Sequence, residues 1–158
     1  MILSTTFMDH TWLSRLSERR FMEGPETTRP WAILLIEDQD LSKTNLKFFN
    51  NDKVLKIPQY LLPDHDYAMS KIKDDLSEVV VKFIGEIYQS PAPYWAVTAC
   101  ETGNSKSGAI AKWISDMCLV PIKSMYPGHN IDTSRINRKI YNALDPNLLT
   151  VNSFEFTF

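Results

Sequence analysis

Cys100, Gly103, Ser105, Lys106 and Ser107 stand within one run of eight residues, Cys100-Glu101-Thr102-Gly103-Asn104-Ser105-Lys106-Ser107. An ionised thiol is a nucleophile, a lysine is a compact positive charge, and a serine hydroxyl can donate a hydrogen bond to a sulfur anion. Before the run lies an apolar stretch, Tyr94-Trp95-Ala96-Val97-Thr98-Ala99. After it, Gly108-Ala109-Ile110-Ala111-Lys112-Trp113-Ile114 follows a helical pattern. A strand ending in cysteine, a short polar loop and a helix start make an anion site, because the loop amides and the helix N-terminus aim positive dipoles at one spot. The same field favours the thiolate over the thiol and makes it a nucleophile. The chemistry open to such a run is to bind a phosphate and attack it.

The elements that must hold this run follow from patterning. Ile2-Leu3-Ser4-Thr5-Thr6 reads as a first strand, and Asp9 is a fair N-cap for a helix through Trp12, Leu13, Leu16 and Phe21, broken by Gly24 and Pro25. Trp31-Ala32-Ile33-Leu34-Leu35-Ile36 is apolar on both faces, as an interior strand of a parallel sheet must be. Residues 37–52 are polar and turn-rich, and Val54-Leu55-Lys56-Ile57 is a further strand ended by Pro58. Met69, Ile72, Leu76, Val79, Val80, Phe83 and Ile87 recur at helical spacing, the strongest helix signal in the chain. A last helix is expected over about 134–144, and residues 150–158 alternate as an edge strand or a packed extension. Strands alternating with helices predict an α/β fold, a central mostly parallel sheet flanked by helices, whose ligands bind beyond the carboxyl ends of the strands. Cys100 falls at such an end.

Composition sets the bounds. The 158 residues, 44% hydrophobic, suffice for one core, so a single domain spanning 1–158 is expected. A net charge of −2 gives no reason to expect nucleic acid or a membrane surface as a partner. The N-terminus is too short in apolar residues for a signal peptide, and no run approaches the length of a transmembrane helix. The two cysteines, Cys100 and Cys118, lack metal-ligand spacing and read as free thiols of a cytoplasmic protein, with no metal site and no cofactor.

The run Cys100 to Ser107 resembles the loop of the cysteine-based protein tyrosine and dual-specificity phosphatases, whose pattern is Cys, five residues, Arg, then Ser or Thr. The chain matches it at Cys100, Gly103, Ser105 and Ser107, with Lys106 where the family has arginine and Ala99 where it usually has histidine. Such a pattern after either cysteine arises by accident on the order of once in several thousand chains of this size. The order of elements, closing on a late helix around Asn137-Arg138-Lys139-Ile140-Tyr141, is similar to that of small bacterial and phage phosphatase-like proteins.

The resemblance implies a reaction. Cys100 attacks a phosphate monoester to give a cysteinyl-phosphate, and the backbone of Glu101, Thr102, Gly103, Asn104, Ser105 and Lys106 holds the phosphate oxygens. Ser107 assists the sulfur as it leaves, and water hydrolyses the intermediate. A proton for the departing alcohol comes from an upstream aspartate, and Asp64 and Asp66 in Pro63-Asp64-His65-Asp66 are the candidates. The partner is then a phosphorylated protein or a small phosphomonoester. Lysine keeps the attraction of arginine but loses its two-pronged grip, so turnover is expected to be reduced.

Plainer readings stand beside this one. Cys100 is also explained as a buried strand-end cysteine, and Cys118, beside Ile110, Ile114 and Met117, as core packing. His10, His65 and His129 read as isolated residues in polar surroundings, Arg135, Arg138 and Lys139 as a solvated helix face, and Trp31, Trp95 and Trp113 as core. A nucleotide-binding loop needs glycine directly before its lysine, where this chain has Ser105. Three functions remain open at this point: a thiol-dependent phosphatase, an anion-binding module without turnover, and an interaction protein retaining only the fold.

Overall fold

The computed structural model describes residues 1–23, 30–47, 49, 52–63, 69–125 and 128–144, and leaves aside the side chains of residues 20–23, 43 and 69–74. The expected extension at 150–158 lies outside the described residues. Four strands form one sheet: β1 (Ile2–Asp9), β2 (Trp31–Glu37), β3 (Lys53–Pro58) and β4 (Tyr94–Cys100). They run in the order β1-β4-β2-β3, every pairing parallel. Four helices connect and follow them: α1 (His10–Glu23), α2 (Met69–Gln89), α3 (Lys106–Cys118) and α4 (Arg138–Ala143). The α/β class, the parallel sheet and the flanking helices are as the sequence predicts.

Interior strands of a parallel sheet are covered on both faces, and β2 and β4 show why their sequences are continuously apolar. Ala32, Leu34 and Ile36 of β2 join Tyr94, Ala96 and Cys100 of β4 in one core, closed by α2, α3 and α4. The alternate residues, Trp31, Ile33 and Leu35 with Val97 and Ala99, face Leu13 and Leu16 of α1 in a second core. Trp31 and Trp95 are register partners across β2 and β4, and their rings meet edge to face at 5.0 Å. β3 is an edge strand with only Ile57 buried. The outer edge of β1 is covered by the segment after α3: Thr5 N–H donates to Pro121 O at 3.0 Å and Lys123 N–H to Thr5 O at 2.9 Å.

The helices follow their stripes. In α2 the fully buried line runs through Leu76, Val80, Ile84 and Ile87, with Val79 and Phe83 at its edge. α1 is capped as expected, Asp9 Oδ1 accepting from Trp12 N–H at 2.8 Å. The last helix is shorter than the sequence suggests. Thr133–Arg135 forms a separate 3-10 turn, and α4 begins only after Asn137, whose Oδ1 caps Ile140 N–H at 3.1 Å. Asn at an N-cap restarts a helix that the preceding extended residue, Ile136, has interrupted. Arg135, Arg138 and Lys139 are exposed, as read from their pattern.

Leu34 is fully buried on the central pair of strands. Leu34→Ala is expected to destabilise the fold by about 2–5 kcal/mol, read as a lower urea midpoint at unchanged slope.

Candidate functional site

The run of interest leaves the sheet at the end of β4, an interior strand hydrogen-bonded to β1 on one edge and β2 on the other. Cys100 is the last strand residue and is fully buried. Ser107, in the first turn of α3 and also buried, closes back onto it. Ser107 N–H donates to Cys100 Sγ at 3.3 Å, and Ser107 Oγ is hydrogen-bonded to the same sulfur at 3.1 Å. Thr102 Oγ1 lies 3.6 Å from it on the other side. The backbone N–H donates to the sulfur, and both hydroxyls lie within reach of it.

Between the two, the loop turns through Gly103 at φ +74°. A side chain there is excluded twice over. The φ belongs to the left-handed region, and a Cβ would stand 2.5 Å from Asp9 N and 2.9 Å from Asp9 Cβ. The loop therefore lies directly against the backbone where β1 becomes α1. Its far end is held by α4: Asn137 N–H donates to Ser105 O at 3.0 Å. The N–H groups of Thr102, Gly103, Asn104 and Ser105 donate to no acceptor among the described residues, leaving four consecutive loop donors unspent. Unspent amides beside the N-terminus of a helix of 13 residues are what an anion requires.

The third brace is one that the sequence reading did not pick out. Asp38, just past the end of β2, reaches across to the loop with a side chain only 1% exposed. Its two oxygens accept Glu101 N–H at 2.9 and 3.1 Å, and Oδ2 lies 3.3 Å from Lys106 Nζ. On its other side Asp38 Oδ1 is 3.6 Å from His10 Nε2. His10 is 3% exposed, so the expectation of a histidine in polar surroundings is corrected here: the first residue of α1 is carried inward by the Asp9 cap. His10 Nε2 has no hydrogen-bond partner among the described residues, and Nδ1 is 3.5 Å from Thr44 Oγ1. Burial pushes the imidazole below its ordinary value, against the pull of Asp38, the Ile36 carbonyl, Asp9 and Glu101.

His129 is corrected in the same way. It is buried, its Nδ1 accepting from Met125 N–H at 3.0 Å and its Nε2 lying 2.9 Å from Phe7 O, the side on which a ring proton is accepted by the carbonyl. It supports β1 rather than the sulfur. Cys118 is half-buried against the core, where burial pushes its thiol up to about 12 and leaves it inert. Both cysteines are free.

Of the residues the sequence singles out, Cys100, Glu101, Thr102, Gly103, Asn104, Ser105, Lys106 and Ser107 are brought together. Asp64 and Asp66 lie outside the described residues. The signal that would have found Asp38 and His10 is positional: each follows a strand at its carboxyl end, where ligands of parallel sheets bind. A cleft of about 360 Å³ lined by His10, Thr11, Ser14, Gln39, Asp40 and Thr44 opens beside them. A second of similar size lies between α3 and α4 among Lys112, Ser134, Ile136, Arg138 and Tyr141, and Cys100 lines neither. Among the described residues no group of His, Cys, Asp and Glu is placed to hold a metal ion, and no helix is long and apolar enough to cross a membrane. Compared with protein-family models, with curated proteins and with solved structures, the chain matches none of them.

Gly103→Ala is expected to cost about 1–3 kcal/mol from the backbone angle alone, and more from the contact with Asp9, measured by chemical denaturation. For His10 the sign follows from its depressed value. The unfolded chain takes up the proton first as pH falls through the ordinary value of 6.5, so stability declines from there until the folded protein protonates too. Unfolding measured between pH 7.5 and 5 is expected to show this slope in the wild type and a flatter one in His10→Gln.

Proposed function

We propose that the chain is a cysteine-dependent phosphomonoester hydrolase working through a cysteinyl-phosphate, with turnover reduced by the lysine at position 106. The observation that carries this reading is the contact of Cys100 Sγ with both Ser107 N–H and Ser107 Oγ, beneath a loop whose amides at residues 102–105 donate to no acceptor among the described residues. The order of elements, strand-cysteine-loop-helix followed by a capped late helix, supports the same reading.

In the first step the Cys100 thiolate forms a sulfur–phosphorus bond as the ester oxygen–phosphorus bond breaks. The four unspent amides and the start of α3 receive the charge on the non-bridging oxygens. The leaving oxygen takes a proton, a role that the family resemblance gives to Asp64 or Asp66. In the second step water attacks phosphorus and the sulfur leaves as a thiolate, which Ser107 stabilises through Oγ and N–H. Substrates of this class are phosphorylated proteins or small phosphomonoesters. Two free thiols suit a reducing compartment such as the cytoplasm.

A second reading, an oxyanion-binding module without turnover, is favoured by one observation. Lys106, the cation that replaces arginine, is 3.3 Å from Asp38 and thus shares its charge with the protein's own carboxylate.

Hydrolysis of a generic aryl phosphate between pH 5 and 8 tests the first reading. Cys100→Ser is expected to abolish it, and Lys106→Arg to raise kcat/KM by about ten- to a hundredfold. Hydrolysis that survives Cys100→Ser would end the thiol mechanism. Tungstate binding without hydrolysis in either the wild type or Lys106→Arg would select the binding module.

A further inference from the structure

Asp38 holds donors that the bound oxyanion needs. Resting on the reading of the loop as an oxyanion cradle, we take the donors that a ligand would use to be the amides of residues 101–105 and Lys106 Nζ. In the structure a carboxylate already takes the first of these amides with both its oxygens and stands within 3.3 Å of the ammonium. An N–H carries one hydrogen, and its bifurcated grip by Asp38 leaves none for a phosphate oxygen. Asp38 and an incoming anion would also compete as like charges for the same lysine.

We propose that Asp38 is a built-in competitor of the oxyanion: it occupies Glu101 N–H and Lys106 until a ligand displaces it. The displaced carboxylate has a second seat nearby. His10 Nε2, buried and with no hydrogen-bond partner among the described residues, lies 3.6 Å from Asp38 Oδ1, so a small side-chain rotation moves the carboxylate from the loop towards the imidazole. Among the described residues, the groups shown to face Asp38 are Glu101 N–H and Lys106 on the loop side and His10 on the α1 side. A carboxylate that merely stiffened the loop would not need to take the donors at which the ligand binds, nor be flanked by an unsatisfied alternative partner. The competitor sets a threshold: weak or singly charged anions fail to displace it, and a phosphomonoester dianion, with more charge to offer Lys106, succeeds.

Titration calorimetry with tungstate tests this on the wild type, Asp38→Asn, Asp38→Ser and Asp38→Asn/Lys106→Ala at one pH and salt concentration. The asparagine and serine variants are expected to bind tungstate roughly ten- to a hundredfold more tightly than the wild type, the worth of one or two charge-assisted hydrogen bonds. The added Lys106→Ala is expected to return most of that gain. Equal or weaker binding in the folded variants would overturn the competitor and make Asp38 a positioning residue of an intact cradle. Binding by none of the four proteins would overturn the cradle itself. A measurement independent of any variant is the carboxyl carbon resonance of Asp38 in the wild type. It is expected to move as tungstate saturates the protein, and a resonance unmoved at saturation would refute the displacement.

Discussion

Hydrogen bonding of β4 on both of its edges is the constraint from which the rest of the site follows. A strand paired on one side can twist or slip, whereas one locked between β1 and β2 has its register set twice, with Cys100 opposite Asp9 and Ala99 opposite both Met8 and Leu35. The sulfur is therefore fixed before the loop begins. The loop then needs only to return to it, and it does so over the surface offered by the neighbouring strand ends. Asp9 supplies a flat stretch of backbone that admits only glycine, Asp38 a pair of acceptors, and Asn137 a donor from below.

Each brace comes from a different part of the chain, and this decides which charges gather at the site. The carboxyl ends of parallel strands collect whatever residues begin the following connections, here Asp9, His10, Asp38 and Glu101. Three of these four are acids, and one of them, Asp38, is paired with Lys106. The compact ammonium of Lys106 is shared more readily than a guanidinium fork would be.

What the sequence disclosed and what it withheld divide along range. β2 was readable because six apolar residues in a row have no other use in a short segment, and α2 because Leu76, Val80 and Ile87 keep helical spacing. The cysteine loop was readable because its donors are consecutive. Asp38 was not, since Glu37-Asp38-Gln39-Asp40 reads locally as a polar turn and its partner is 63 residues away. His10 was hidden for the related reason that polarity of sequence neighbours says nothing about which side of a helix start faces the sheet. The break before α4 escaped notice because Arg135 and Ile136 are ordinary helix residues. Only the cap geometry at Asn137 separates the 3-10 turn from the helix.

The strand order carries a consequence for how the molecule is made. Chain synthesis yields β1, then β2 and β3, yet β1 never touches β2 in the sheet: the space between them belongs to β4, some ninety residues after β1. Until residues 94–100 have emerged, β1 has no partner on that edge, while β2 and β3 can pair on their own. Its other edge waits longer still, for the segment at 121–123. Contacts of such separation are slow to form and leave an apolar edge exposed meanwhile. The strand that delivers the sulfur is thus also the keystone of the sheet, and a nascent chain halted before it has neither a site nor a closed core.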